Sequence, residues 1–325
     1  MMAKYKVLTT IPKTQFERDC QRAIQLLRDN DVELVCYQGE GVMTAEEIIA
    51  EASDVSGVIV GCSEFPEEVL VKMPNLKVMA RFGIGCDNID LEAAKRLGIK
   101  VCNARGLNSD SVAEITVLMA LALLRNLLVL DRTTREGGWM RYSGSIIHRR
   151  TWGLVGFGAI SQNVVKILKG FEPGRILAYD PYPNQKIADE MGVELVDLDT
   201  LLKESDIISL HVPGTPQTAN MFNAEAFAKM KNTAILINVA RGIVVNEPDL
   251  YTALTTGQIA GAGLDVYAEE PTSKDNPLFK LDNVVLTPHQ AADTAETFDA
   301  VGYFDAEVIM DVMNGNENPI NWLNR

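Results

Sequence analysis

Residues 152–161 read Trp-Gly-Leu-Val-Gly-Phe-Gly-Ala-Ile-Ser, an apolar run that stops at two glycines separated by one residue. The first four residues suit a strand covered on both faces, and helical spacing resumes at Ala159, so the glycines mark a strand-to-helix turn. Gly156 permits the tight turn. Gly158 lets a ligand approach the backbone, and the peptide groups of Phe157, Ala159 and Ile160 lie at the helix amino end, which faces phosphates. Ser161 occupies the third position, normally glycine or alanine, and is small enough for helix and strand to pack closely. Asp180 ends the next apolar run, "RILAYD", 22 residues past Gly158. A carboxylate there accepts hydrogen bonds from ribose hydroxyls and repels a 2′-phosphate, which favours NAD over NADP. The alternative for the glycines alone is an ordinary turn between strand and helix.

Outward from this turn, strand-like runs continue through "RILAYD", "VELV", "DIISLHV", "AILINV", "IAGAGLDVY" and "NVVLTPH", with helical stretches between most of them. An earlier series runs "YKVLTT", "VELVCYQ", "VSGVIVG", "LKVMAR" and "IKVCN", with helical patterns over 14–29 and 44–52. Such alternation implies βαβ units and parallel sheets, hence an α/β protein with two sheets in succession. The stretch from Thr294 to about Asn314 has helical spacing but follows the last strand, and is expected to pack back on the first domain. The expected division is a discontinuous domain of 1–102 plus 294–325 and an inserted nucleotide domain of 103–293.

The chain has 325 residues, 47% of them hydrophobic, and a formal net charge of −14, which repels nucleic acid and anionic lipid. Five cysteines without a CxxC pair suit reduced thiols in a cytoplasmic protein and point to neither a disulfide framework nor a metal site. The amino terminus does not resemble a signal peptide. The apolar stretch Ile115 to Leu130 is interrupted by Arg125 and Asn126, too short and broken to span a bilayer, and reads as a buried or interface helix.

Polar residues at the remaining strand ends carry the chemistry. Arg241 follows "ILINVA", and the carboxyl edge of an open α/β sheet is where ligands bind, so it is either an anion anchor or a surface arginine capping a strand. "GLDVYAEEP" offers Asp265, Glu269 and Glu270, and "NVVLTPH" ends at His289, one of three histidines. Interconverting a 2-hydroxy acid and a 2-keto acid needs a proton carrier on the oxygen and a cation for the carboxylate. A histidine oriented by a carboxylate meets the first need, and an arginine fork the second. His211 suits a core position as well as a site, and His148 a surface one.

The residues together resemble the D-isomer-specific 2-hydroxyacid dehydrogenase family. The resemblance is carried by "RFGIGCDNIDLEAAKRLGIKVCNARGLNSDSVAE", "GLVGFGAI", "YDP", "DIISLHVPGTPQT", "AILINVARGIVVNEPDL", "AGAGLDVYAEEP" and "NVVLTPH", in order over nearly the whole chain. It implies two Rossmann-like or flavodoxin-like parallel-sheet domains with a cleft between them. It also implies an NAD-dependent enzyme in which Arg241 anchors the substrate, Glu270 partners the histidine and His289 is the acid/base. The same resemblance assigns the backbone of Gly83, Ile84 and Gly85 to the substrate carboxylate and Asp265 to the nicotinamide amide. His211, Val212, Pro213, Thr218, Val239 and Ala240 join the expected cofactor contacts. A helix from Ser111 to Leu130, within the region 105–130, is expected to form a homodimer interface. The contrasting possibility is an NAD(H)-sensing binding protein of the corepressor type on the same fold.

Several positions depart from the family pattern. Gly214 stands where leucine is usual, Arg105 where proline is common, and Gln290 and Asp293 replace small residues after the histidine. Gly61, Cys62 and Ser63 occupy a stretch where phosphoglycerate-type members carry an arginine, which leaves Arg81 and Arg105 as the candidates for any phosphate.

Overall fold

The computed structural model describes residues 4–316 and 322–324. The chain divides into two compact units, one made of residues up to Asn108 together with those from Asp293 onward, the other of Ser109–Ala292. In the first, Tyr5–Pro12 (β1), Lys13–Asp19 (α1), Gln21–Asp29 (α2), Val32–Tyr37 (β2), Ala45–Glu51 (α3), Gly57–Val60 (β3), Glu67–Leu70 (α4), Val78–Arg81 (β4), Leu91–Arg96 (α5) and Lys100–Asn103 (β5) follow one another. Their five strands are parallel, in the order β2-β1-β3-β4-β5. The short, wholly buried strand β3, Gly-Val-Ile-Val, shows why the runs are β-branched: both of its faces are covered. Local signals set the helix starts, as in α3, where Thr44 and Glu47 form a reciprocal capping box.

The second unit begins with two helices, Ser109–Leu124 (α6) and Leu127–Arg135 (α7). There follow Thr151–Val155 (β6), Ala159–Leu168 (α8), Arg175–Tyr179 (β7), Gln185–Met191 (α9), Glu194–Leu195 (β8), Leu198–Glu204 (α10) and Ile207–Leu210 (β9). Ala224–Lys229 (α11), Ile235–Asn238 (β10), Glu247–Thr255 (α12), Gly261–Leu264 (β11) and Val284–Leu286 (β12) complete it. Seven parallel strands run in the order β12-β11-β10-β9-β6-β7-β8. The order reverses between β6 and β9, the point at which a doubly wound sheet opens a ligand crevice at its carboxyl edge. One apolar cluster fills each side of the sheet, the first around Leu236, Phe222 and Phe227, the second around Trp152, Leu154 and Ile237.

The helix Ala295–Met313 (α13) returns to the first unit, where Phe298, Ile309 and Met313 join Val7, Phe16, Leu27 and Val78 in one core. Gly57 and Gly302 let it settle closely: a Cβ at Gly57 would sit 3.1 Å from Ile309, and one at Gly302 2.9 Å from the Cys20 sulfur.

Two expected helices are broken. The pattern over 14–29 bends at Cys20, whose fully buried thiol turns toward the Phe298 carbonyl. The apolar helix read as continuing to Leu130 stops at Leu124, because Asn126 adopts a left-handed conformation (φ 53°) and the two pieces meet at 63°. Arg125 and Asn126 end the apolar pattern there, and asparagine tolerates that backbone region. Among the described residues no single helix is long and apolar enough to cross a membrane. All five cysteines are free, with Cys20, Cys36 and Cys102 buried and Cys62 exposed.

Candidate active site

The glycine turn follows β6, at the switch point. Gly156 has φ +91°, and a side chain there would press on the His211 carbonyl at 2.9 Å, so the turn and the end of β9 touch backbone to backbone. Gly158 is open, with nothing within 4 Å of where a Cβ would stand. It precedes α8, whose amino end has no side-chain cap and no acid in its first turn. Such an end presents backbone donors and the positive pole of the helix to an anion. Ser161 is fully buried and donates to the Gly156 carbonyl at 2.6 Å, so it packs closely and also ties the helix to the turn. Asp180 accepts from Phe157 N–H and Tyr182 N–H, both at 2.8 Å, and holds the second residue of the turn in place. Each of its oxygens keeps further acceptor capacity for ribose hydroxyls. These features fit a dinucleotide.

The other expected cofactor positions lie along the same edge. Val212 and Pro213 follow the end of β9, with Thr218 donating to the Pro213 carbonyl at 2.6 Å, while Val239 and Ala240 follow β10. The His211 ring turns inward. Its Nε2 meets Ser209 Oγ at 2.9 Å, that oxygen also accepts from Trp152 Nε1 at 2.9 Å, and burial pushes the imidazole down to about 3. His211 is thus a neutral core histidine whose backbone borders the glycine turn. His148 is exposed, 3.5 Å from Glu172.

Arg241, Glu270 and His289 come together in the second unit although they follow three different strands. Arg241 leaves β10 in a turn where Gly242 lies so close to the Tyr267 carbonyl that any side chain would overlap it. Its Nη1 donates to the Ala240 carbonyl at 2.7 Å, and Gly214 passes over its stem, where a Cβ would stand 3.0 Å from Arg241 Cγ. Gly214, the departure from leucine, thus lies against the Arg241 stem and the Ile243 side chain. His289 Nδ1 and Glu270 Oε2 are 2.6 Å apart, and Glu270 Oε1 accepts from Tyr267 N–H at 2.9 Å. The hydrogen bond to Glu270 raises the His289 pKa above its ordinary value, against the opposing effects of burial and Arg241. Partial burial pushes the Glu270 carboxyl up. The bonds from His289 and Tyr267 and the charges of His289 and Arg241 outweigh it and hold that carboxyl below its usual range.

His289 itself has φ +53°, a left-handed backbone held by its surroundings. Its N–H donates to the Asp265 carbonyl at 2.7 Å. The Asp265 carboxylate, 1% exposed, accepts from Thr287 Oγ at 2.5 Å, Gln290 N–H at 2.8 Å and Ala291 N–H at 2.9 Å. Both oxygens of the residue expected at the nicotinamide amide are thus engaged by the turn that carries the histidine.

Residues 117–291 match the family described as D-isomer specific 2-hydroxyacid dehydrogenase, NAD binding domain. The chain is 39% identical, over 90% of each sequence, to a glyoxylate reductase of Korarchaeum cryptofilum. It belongs to the D-isomer specific 2-hydroxyacid dehydrogenase family. It is also 42% identical over 91% of its length to a D-3-phosphoglycerate dehydrogenase of Archaeoglobus fulgidus, but spans only 56% of that protein. A D-lactate dehydrogenase of Aquifex aeolicus, solved with NAD and lactic acid, superposes with a TM-score of 0.84 at 30% identity, covering 98% of this chain and 99% of the other.

As in other members of this dehydrogenase family, the second unit is an NAD-binding domain, and the turn Gly156–Ile160 with Asp180 lies within the matched residues. Gly83, Ile84 and Gly85 lie in the first unit, just past β4. Gly83 has φ +135°, its carbonyl accepts from Ala104 N–H at 2.9 Å, and the Ile84 carbonyl accepts from Asn103 Nδ2 at 2.6 Å. Arg105 is exposed, and the Arg81 guanidinium is turned back onto the Phe82 and Val60 carbonyls. Tyr267 and Thr287 escaped the sequence reading. The signal was a hydroxyl two residues after a buried aspartate at a strand end, but its partner is a carbonyl that no side-chain pattern advertises. Among the described residues no group of three or more His, Cys, Asp or Glu could hold a metal ion.

Proposed function

We propose that this protein catalyses the NAD-dependent interconversion of a D-2-hydroxy acid and the corresponding 2-keto acid. The observation that carries this reading is the 2.6 Å contact between His289 Nδ1 and Glu270 beside Arg241, at the carboxyl edge of a sheet that bears a dinucleotide turn. NAD supplies or takes the hydride at C2 of the substrate. Arg241 holds the substrate carboxylate with its planar fork. Glu270 occupies Nδ1 of His289 and leaves Nε2 to face the substrate oxygen. In the reducing direction the imidazolium gives its Nε2 proton to that oxygen, and in the oxidising direction the neutral ring takes it back. The raised pKa keeps the proton on His289 at neutral pH more of the time than an isolated imidazole would. In the first unit, the backbone of Gly83–Gly85 is assigned to substrate recognition.

Five free cysteines suit a reducing, cytoplasmic setting. A homodimer through the region 105–130 is supported by the exposed apolar residues Leu107, Leu118, Leu127 and Leu128 within it. Oxidation of NADH at 340 nm against pyruvate, glyoxylate, hydroxypyruvate, 3-phosphohydroxypyruvate, oxaloacetate and branched-chain keto acids tests the reading. Turnover with one or more is expected, and His289→Ala should reduce kcat ~10²–10⁴-fold while leaving NADH affinity nearly intact. Full turnover by that variant removes His289 from the chemistry.

A further inference from the structure

Three loops deliver Arg241, Glu270 and His289, and all three meet one residue. The Tyr267 carbonyl lies against Gly242, next to Arg241. Its N–H donates to Glu270 Oε1 at 2.9 Å. Its hydroxyl donates to the Thr287 carbonyl at 3.0 Å, two residues before His289. We propose that Tyr267 is a positioning residue, whose backbone N–H and side-chain hydroxyl together set the register between the carboxylate of Glu270 and the ring of His289.

The side chain is suited to the task. It is 8% exposed, and its ring meets Phe279 edge-on at 6.1 Å, which fixes the direction of the hydroxyl. Burial, reinforced by the charges of Asp265, Glu247 and Glu270, pushes the phenol up to about 12, so it remains a hydrogen-bond donor across the working range of an enzyme. The next residue is pinned as well: Ala268 N–H donates to Glu247 Oε1 at 2.6 Å, and Glu247 Oε2 accepts from Asn276 at 3.1 Å. Thr287 is held from its other side by Asp265 through its hydroxyl. The tyrosine hydroxyl therefore draws the start of the histidine turn toward the glutamate loop, while Asp265 closes its far end.

Tyr267→Phe removes the hydroxyl and keeps the ring and its contact with Phe279, so the fold survives. The inference rests on the roles given above to Glu270 and His289, and two readouts separate its failure from theirs. The first is the titration of the His289 imidazole by NMR, with three histidines in the chain and His289→Ala to assign the signal. Three charged groups act on that ring: Glu270, Asp265 and Arg241. A looser contact with Glu270 lowers the midpoint in Tyr267→Phe, whether or not a substrate has been found. The second is kcat/KM for keto-acid reduction against pH. A fall of about 2- to 12-fold is expected, the equivalent of one hydrogen bond, with the alkaline limb displaced to lower pH and NADH affinity retained. An unmoved midpoint and limb overturn the inference even if the melting temperature drops, since that is the behaviour of a tyrosine that only fills the core. A parent enzyme silent on every keto acid overturns the activity, and the titration still decides the role of Tyr267.

Discussion

Asp265→Asn is a near-isosteric change that separates two uses of the same carboxylate. In the structure one oxygen accepts from Thr287 Oγ and Gln290 N–H and the other from Ala291 N–H. An asparagine placed with its oxygen toward Thr287 and Gln290 points its amide hydrogens at the Ala291 N–H, donor against donor. Flipped, it satisfies Ala291 and opposes the Gln290 N–H, while the Thr287 hydroxyl can rotate to accept. Either way one backbone donor loses its partner, the buried Ala291 N–H in the first placement and the part-buried Gln290 N–H in the second. An unsatisfied buried donor costs about 1–3 kcal/mol. For a unit of this size each kcal/mol lowers the melting temperature by about 2–4 °C, which places the expected fall at about 2–12 °C. The consequence for turnover is larger, because the same turn holds His289 at φ +53° and 2.6 Å from Glu270. A misplacement of about 1 Å costs up to ~10²-fold in rate. Thermal melts with and without NADH, together with kcat and both KM values, measure these effects. A variant that melts within about 1 °C of the parent and loses only NADH affinity would refute the reasoning, since its carboxylate would then serve the cofactor alone.

Three further outcomes are expected. In the proposed reaction reduction needs the His289 imidazolium, so kcat/KM should be full below its folded pKa and fall as pH rises through it; Glu270 places that limb above ~6.5, and Glu270→Gln should move it down. A limb that stays in place would detach Glu270 from the histidine. Gly242→Ala would drive a methyl group into the Tyr267 carbonyl, and overpacking against backbone costs at least ~1–3 kcal/mol, so loss of soluble protein or of Arg241-dependent substrate binding is expected. A stable variant with parental KM would show that this approach is not required. Asp180→Ala removes the acceptor of Phe157 N–H and the negative charge at the proposed ribose position, so the ratio of kcat/KM for NADPH over NADH should rise; an unchanged ratio assigns the selectivity elsewhere.

Every strand lies on an apolar run visible in the sequence, most of them rich in β-branched residues as buried parallel strands are, although β11, Gly-Ala-Gly-Leu, is wholly buried without one. The helix interruptions were harder to see. The helix breaks at Cys20, whose thiol lies 3.5 Å from the Phe298 carbonyl of α13, a contact far along the chain of which local spacing carries no trace. Arg125 and Asn126 did mark the second break, but as an interruption of polarity rather than of backbone direction. Arg241, Glu270 and His289 stood out as polar residues at strand ends. What joins them did not: the close approach of Gly242 to the Tyr267 carbonyl, the donors gathered by Asp265 and the tyrosine hydroxyl on Thr287 each involve a backbone atom across loops. His211 was legible only as a core or a site residue alike, and the choice rests on a partner, Ser209 Oγ, that itself accepts from the buried Trp152.

The return of α13 to the first unit bears on how the protein is made. The sheet built from β1 to β5 leaves the ribosome before the second unit, yet Phe298, Ile309 and Met313 belong to its core, and the whole of Ser109–Ala292 must be synthesised before they exist. At ~5–20 residues per second that interval lasts roughly ten to forty seconds. During it, Val7, Phe16, Leu27 and Val78 lack the helix that covers them, whereas the interposed unit is continuous in sequence and can close without waiting. The interposed unit can thus close before the unit that encloses it, and during that interval a chaperone would find exposed apolar surface on β1 and β4 and their helices rather than on the newer strands.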